Sequence, residues 1–292
     1  MTIDRPYTGP KPSIVLPKGA IDTQTHMFLP GYPAIEPGPP LPEGLPGPDD
    51  YRKVMDWLGI ERVVITQGNA HQRDNENLLA CLAAMGDCAR GVAVIDGATS
   101  NAALQRLDDG GITGVRIMDL PGGAVGMDGL EAVDARAHAM GWVVAVQLNG
   151  NHILDHMTAL SQLKSPFIID HHGKFFAGIA PDSLEIAAVK SLIDRGNCWF
   201  KFAGCYESSR TGGPDYTDIA AVSRDLVAFA PERIVWGTNW PHNLAKATQD
   251  YPDDAALLDT VLGWIESEAD RRTILVDNPE ALFGFSRRPS AA

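Results

Sequence analysis

Long apolar runs are missing from this chain. No stretch approaches 18 consecutive apolar residues, so no membrane span is expected. The N-terminus has no apolar signal core, and Met1-Thr-Ile-Asp-Arg-Pro reads as no targeting segment. Basic residues are scarce: 24 Lys and Arg stand against 37 Asp and Glu, a net charge of −13. That balance argues against nucleic acid and anionic membrane surfaces as partners. An acidic small substrate would have to be held by a few local Arg and Lys side chains. Cysteine is sparse too, with four residues, no CxxC and no Cys/His zinc spacing. Cys81 and Cys88 would lie about 10 Å apart on one helix, too far for a disulfide. Reduced thiols in a cytoplasmic protein are the expectation. No glycine-rich phosphate loop follows any apolar run, which counts against a nucleotide site.

What the chain does have is repetition of one unit. Short apolar, β-branched runs fall at 20–23, 62–66, 91–95, 114–117, 142–147, 166–170, 199–202 and 234–236. Helical patterns separate them at 49–58 (capped by Asp49), 78–85 (capped by Asp74 or Asn75), 102–107, 130–140, 152–163, 184–194 and 218–229. Strands alternating with helices imply parallel βα units. With 292 residues, a closed (β/α)8 barrel of TIM type fits better than a doubly wound sheet. One domain, 1–292, is expected. Residues 1–18 form an N-terminal arm, and a tail helix with a docking segment spans 265–285. Residues 30–48 are dense in Pro and Gly. They read either as part of a cover over a site or as a plain surface loop.

In such a barrel the C-terminal ends of the strands carry the chemistry. Those ends hold Gln24 and His26; Gln67 and His71; Arg116; Gln147 and Asn149; His171, His172 and Lys174; Lys201; Asn239 and His242. Polar groups at seven of eight strand ends are more than chance would place there, so a site is expected. Bland readings stand beside each assignment. His26 and His171 could be hydrogen-bonded barrel histidines. Arg116, Lys174, Lys201 and the loop residue Arg210 could be salt-bridged to acidic neighbours. His71 and His242 could satisfy loop backbone. His152 and His156 have i,i+4 spacing, but no third ligand lies nearby.

The motifs Ile21-Asp22-x-x-x-His26, Gln67-x-x-x-His71-x-x-Asp74-Asn75, Gly114-x-Arg116, Ile169-Asp170-His171-x-Gly173-Lys174, Trp199-Phe200-Lys201 and Trp236-Gly237-Thr238-Asn239-Trp240-Pro241-His242 occur in this order. Together they resemble the lactonase branch of the amidohydrolase superfamily, the branch of 2-pyrone-4,6-dicarboxylate lactonase. The resemblance implies a barrel whose pocket takes cyclic esters bearing carboxylates. Two departures follow from it. Members of the superfamily end their first strand in His-x-His, a metal-binding pair, where this chain has Gln24-Thr25-His26. An amide is a poor ligand for zinc-like ions. The lactonases carry a general-base Asp where this chain has Asn239, which cannot accept a proton near neutral pH. No metal and no cofactor are therefore expected.

A lactone with free hydroxyls can still react internally, one hydroxyl attacking the ester carbonyl as the old ring oxygen leaves. The expected activity is lactone isomerisation. His26, His171, Asn239 and Gln24 would be at the chemistry, with Gln24 and Asn239 as neutral donors. Arg116, Lys174, Lys201, Arg210, His71, Gln147, Asn149 and His242 would hold an anionic lactone. Hydrolysis of a lactone, and a sugar-acid binder without catalysis, remain as alternatives. A homo-oligomer is left open.

Overall fold

The computed structural model describes residues 3–285. Residues 1–2 of the expected arm and 286–292 of the expected domain lie outside the described residues. Eight parallel strands form one sheet in the order β1 to β8. They are β1 (Ile21–Thr25), β2 (Arg62–Thr66), β3 (Ala89–Ala93), β4 (Ile112–Met118), β5 (Val143–Gln147), β6 (Phe167–Ile169), β7 (Cys198–Phe202) and β8 (Ile234–Trp236). Every neighbouring pair in that order is parallel. All eight expected runs are strands, so the barrel is the fold. β8 meets β1 only past its own end. A bridge joins Thr25 to Trp240, with His26 N donating to Trp240 O (2.8 Å) and Asn239 N to Gln24 O (2.9 Å).

Asp22 fastens that seam. Its Oδ1 accepts from the backbone N–H of Gln24 (2.9 Å) and Thr238 (3.0 Å), and its Oδ2 from Tyr51 Oη (2.6 Å) and the Thr238 hydroxyl. Burial pushes the carboxyl up to about 6, against the pull of those four donors. Gly237 makes the approach possible, since a Cβ there would lie 2.5 Å from Gln24 Cβ. The β1–β2 ladder slips register between Asp22 and Thr25, which re-aims the end of β1.

The lower barrel is filled by Ile21, Val64, Val92, Val143, Ala145, Ile168 and Val235. Phe283, from the C-terminal helix Asn278–Phe283, joins this cluster. The larger apolar cluster lies between strands and helices. So the interior is closed below and only its upper end can hold a ligand.

Several local expectations need correction. The first helix, Pro48–Leu58, starts from Gly47 with Pro48 at its first position, so Asp49 is in its first turn and not its cap. The helix expected over 152–163 is a 3-10 stretch, Gly150–His156, followed by a short α-helix, Met157–Ser161. His152 and His156 therefore do not share an α-helical face. The tail helix is continuous over 268–283, later than expected at its start, and carries a π-helical turn, Thr273–Asp277, between α-helical Glu268–Arg272 and Asn278–Phe283. At Glu76–Met85, Asn75 is the cap residue but gives no side-chain cap bond, while Asp74 Oδ1 accepts from Glu76 N (3.0 Å). The arm lies along the surface: Pro10 O accepts from Trp57 Nε1, and the N–H groups of Ser13 and Ile14 donate to Asp259. All four cysteines are free. Among the described residues no helix is long and apolar enough to cross a membrane.

His172 is buried at the end of β6. It stacks on Phe202 (5.0 Å, 8°) and meets Trp264 edge-on, and its Nε2 has no partner. Burial, with Lys174 nearby, holds its pKa down to about 3. The unfolded chain thus takes up a proton near pH 6.5 that the folded chain refuses until about 3. Stability is undiminished above about 6.5 and falls through that window by at most about 1.4 kcal/mol per pH unit from this group. His172→Phe should keep neutral-pH stability within about 1.5 kcal/mol and flatten the loss on acidification. Denaturant unfolding at several pH values measures both slopes; equal slopes would refute the assignment.

Candidate active site

The upper end of the barrel opens into a cavity of about 330 Å³. Its polar floor is built by His26, Arg116, Gln147, His171, Lys174, Glu207 and Asn239. Phe28, Met118, Leu120, Pro121, Phe176 and Leu244 line it with apolar surface, joined by Pro39, Pro40 and Pro42. Residues 30–48 therefore form part of the cover. Ile35 N donates to Ala70 O (2.8 Å) and His71 Nδ1 contacts Pro33 O (3.1 Å), which tie that loop down.

Arg116 is buried and meets no carboxylate within ion-pair distance among the described residues. Its Nη1 donates to Gln67 O (3.0 Å) and its Nη2 to Gln147 Oε1 (2.6 Å), while Nε has no partner. Burial lowers its pKa, but a guanidinium stays charged. A fixed, uncompensated planar cation is what an anionic ligand would meet here.

His26 Nδ1 faces Thr66 O at 2.9 Å, which places the proton on Nδ1. Nε2 is then an acceptor, 3.4 Å from Gln24 Nε2. Burial and Arg116 push its pKa down to about 4, so it is neutral at pH 7. His171 is held well below its usual range by burial, then by Lys174, Lys201 and Arg116. His171, His172, Lys174, Asn239 and His242 all have positive φ, between 48° and 66°. Non-glycine residues rarely adopt that conformation, and such strain gathers where side chains must be aimed.

Glu207 was not foreseen. It follows β7 in the loop 205–216, and its side chain is 6% exposed. Its Oε2 pairs with Lys174 Nζ and lies 3.7 Å from His171 Nδ1. Its Oε1 accepts from Asn239 Nδ2 (3.0 Å), which also donates to Tyr206 Oη (2.8 Å). Tyr206 Oη lies 2.6 Å from His242 Nδ1, and His242 Nε2 lies 2.9 Å from Asp254 Oδ1. A continuous chain therefore runs from Asp254 to Lys174. Gly204, at φ 61°, makes room: a Cβ there would sit 3.0 Å from Asn239 Nδ2 and 3.2 Å from both Glu207 Oε2 and His171 Nδ1. The signal for Glu207 was that glycine, three residues ahead of an acid at a strand exit.

Other expected residues go elsewhere. Both N–H groups of Asn239 are committed to Tyr206 and Glu207, so it is not a free donor to a ligand. Gln24 and Lys201 lie below the cavity. Lys201 Nζ is 2.8 Å from Gln24 Oε1 and 2.9 Å from Asp170 Oδ1, and fully buried. So Lys201 is a salt-bridged lysine, not a ligand for a substrate carboxylate. Arg210 is exposed and outside the cavity. Asn149 accepts from Asn151 N (3.2 Å) and caps the 3-10 stretch. His71 and His242 hold the surrounding loops without lining the cavity.

The donor set does not fit a divalent cation. Among the described residues no three of His, Cys, Asp and Glu converge as a metal site. An ammonium already occupies the oxygens of Gln24 and Asp170.

Comparison with known proteins agrees with this architecture. The chain is 59% identical over 283 residues to a D-galactarolactone isomerase of Agrobacterium fabrum, covering 97% of both. It is 32% identical to a 4-sulfomuconolactone hydrolase of Hydrogenophaga intermedia, over 92% of this chain and 90% of that one. An apo crystal structure from Agrobacterium tumefaciens, 58% identical, superposes with a TM-score of 0.94 over 96% of this chain and 99% of that one. The amidohydrolase family model matches residues 21–285. The chain belongs to the amidohydrolase family.

Proposed function

We propose that this chain is a lactone isomerase that interconverts D-galactaro-1,5-lactone and D-galactaro-1,4-lactone, in D-galacturonate breakdown in the cytoplasm and without a divalent metal. The observation that carries the reading is the end of β8. There the residue is Asn239, its amide committed to Tyr206 and Glu207, where the lactonases are expected to hold a base. The relative at 59% identity is named for the same isomerisation. In the forward sense the hydroxyl on C4 attacks C1 and the oxygen on C5 leaves. Well-oriented internal attack reaches effective molarities on the order of 10⁵–10⁸ M, so holding the ring is most of the task. Arg116 would take the free carboxylate, its fork held by Gln147 Oε1 at 2.6 Å. His26, His171 and Lys174 lie around the same floor, where charge builds on the carbonyl oxygen. Lactone hydrolysis is the second reading. Glu207 favours it, since a carboxylate in the cavity can also activate water.

The decisive experiment is proton NMR of galactarolactones with purified enzyme, which separates isomer from open-chain acid. Isomer should dominate; accumulation of acid at the enzymatic rate would establish hydrolysis instead. Added EDTA should leave the rate unchanged, and a loss restored by zinc or manganese would overturn the metal-free reading. Arg116→Ala should cost about 2–5 kcal/mol in kcat/KM in steady-state kinetics, with the fold retained. Wild-type kinetics would remove Arg116 from the site. Asn239→Asp sets a second carboxylate 3.0 Å from Glu207, and two such groups share one proton near neutral pH. Its diacid product should therefore rise only slightly at about pH 6 and more at about pH 8. A product ratio equal to wild type at both would show that residue 239 does not suppress hydrolysis.

A further inference from the structure

We propose that Glu207 is the catalytic residue that moves the proton in the isomerisation, and that Asn239 is its positioning residue. The proposal rests on the lactone-isomerase reading above. Among the described residues Glu207 is the single acidic side chain lining the cavity. It is held at both oxygens, by Asn239 Nδ2 at Oε1 (3.0 Å) and by Lys174 at Oε2. Each carboxylate oxygen has two lone pairs, so both keep acceptor capacity for a ligand hydroxyl. Two imidazoles line the same cavity: His26 Nε2 already has the Gln24 amide at 3.4 Å, and burial with three nearby cations holds His171 well below its usual range, a weak base whose Nδ1 lies 3.7 Å from Glu207 Oε2.

The proton balance of the reaction suits one such group. As the C4 oxygen bonds to C1, its proton passes to Glu207 and the carbonyl oxygen becomes an alkoxide. When that alkoxide collapses, the bond from C1 to the C5 oxygen breaks. Glu207 then returns the same proton to the C5 oxygen. Nothing is gained or lost to solvent. Lys174 couples to this cycle. While Glu207 is ionised the ammonium is compensated; once Glu207 is protonated, that positive charge is free to face the alkoxide.

The amide at 239 then has a purpose. A carboxylate there would stand 3.0 Å from Glu207 and hold one proton on the pair. The amide instead donates to Glu207 and fixes Oε1. Tyr206, His242 and Asp254 fix the amide in turn. The base has in effect moved from the β8 end to the β7 loop.

The test compares wild type, Glu207→Gln and Glu207→Asp by NMR progress curves on galactaro-1,5-lactone, with thermal melts to check folding. Glu207→Gln should lower kcat by about 10²–10⁴-fold with little change in KM, and should lose any acidic limb of the pH profile that wild type shows. Glu207→Asp should keep a carboxylate-dependent limb at a reduced rate. A Glu207→Gln kcat within about threefold of wild type, or a defect confined to KM, overturns the proposal. Should Glu207→Gln not fold, Glu207→Asp decides: a kcat loss of about tenfold or more at unchanged KM supports the role, and unchanged kcat overturns it. If wild type makes open-chain acid and no isomer, the isomerase reading falls while the same kcat comparison on hydrolysis still decides Glu207. If wild type makes neither product, both fall.

Discussion

One carboxylate holds the barrel shut where the chemistry sits. Asp22 gathers two backbone N–H groups and two hydroxyls from β1, the first helix and the β8 exit. β8 has no ladder with β1 below Trp240, so this cluster and the Thr25–Trp240 bridge set the angle at which Asn239 leaves the barrel. Asn239 in turn aims Glu207. A four-donor cage around a buried acid is stabilising only because every oxygen lone pair it uses is met; each donor orphaned by removing it would cost about 1–3 kcal/mol. The seam is thus both a structural joint and the reference point for the site.

Above that seam three buried cations are treated in three ways. Lys201 is neutralised by Asp170 and sealed from the cavity. Lys174 is paired with Glu207 but lies at the cavity floor. Among the described residues Arg116 meets an amide oxygen, a backbone oxygen and the Met118 thioether, and no carboxylate within ion-pair distance. Burying a charge without a counter-ion is costly, and proteins keep such groups chiefly where a ligand supplies the missing partner. The gradient from full to absent compensation points from the barrel interior toward the place of the ligand.

The eight strands were legible because buried parallel strands are apolar on both faces and short, and each here is bounded by turn residues. Arg116, His26, His171 and Lys174 were legible as polar side chains closing such runs. Glu207, Tyr206 and Asp254 were not. They belong to a loop and to the start of a late helix, where acids and tyrosines are ordinary surface residues. Only the backbone path through Gly204 turns Glu207 inward. Arg210, three residues further on, has the same local composition and points to solvent. Spacing along a strand end could not tell Lys201 from Lys174 either: one side chain lies below the cavity floor, the other reaches it. The helix expected over 152–163 is α-helical only at Met157–Ser161, because the apolar periodicity ahead of it is weak and Gly150, Asn151 and His152 open a 3-10 stretch instead.

The cavity has two unlike faces. Its floor is a field of amides, imidazoles and charges, while Pro39, Pro40 and Pro42 with Phe28 and Leu120 form a wall that offers a ligand no side-chain hydrogen bond. Proline rings have almost no side-chain freedom to lose, so a ring packed against them orders little else. A sugar lactone would meet such a chamber with its C–H face toward the wall and its hydroxyls toward the floor. An epimer that turns one hydroxyl to the wall buries it without a partner, at about 1–3 kcal/mol, or roughly a 5- to 150-fold disadvantage. Configuration at a single carbon would then be read by what the proline wall withholds.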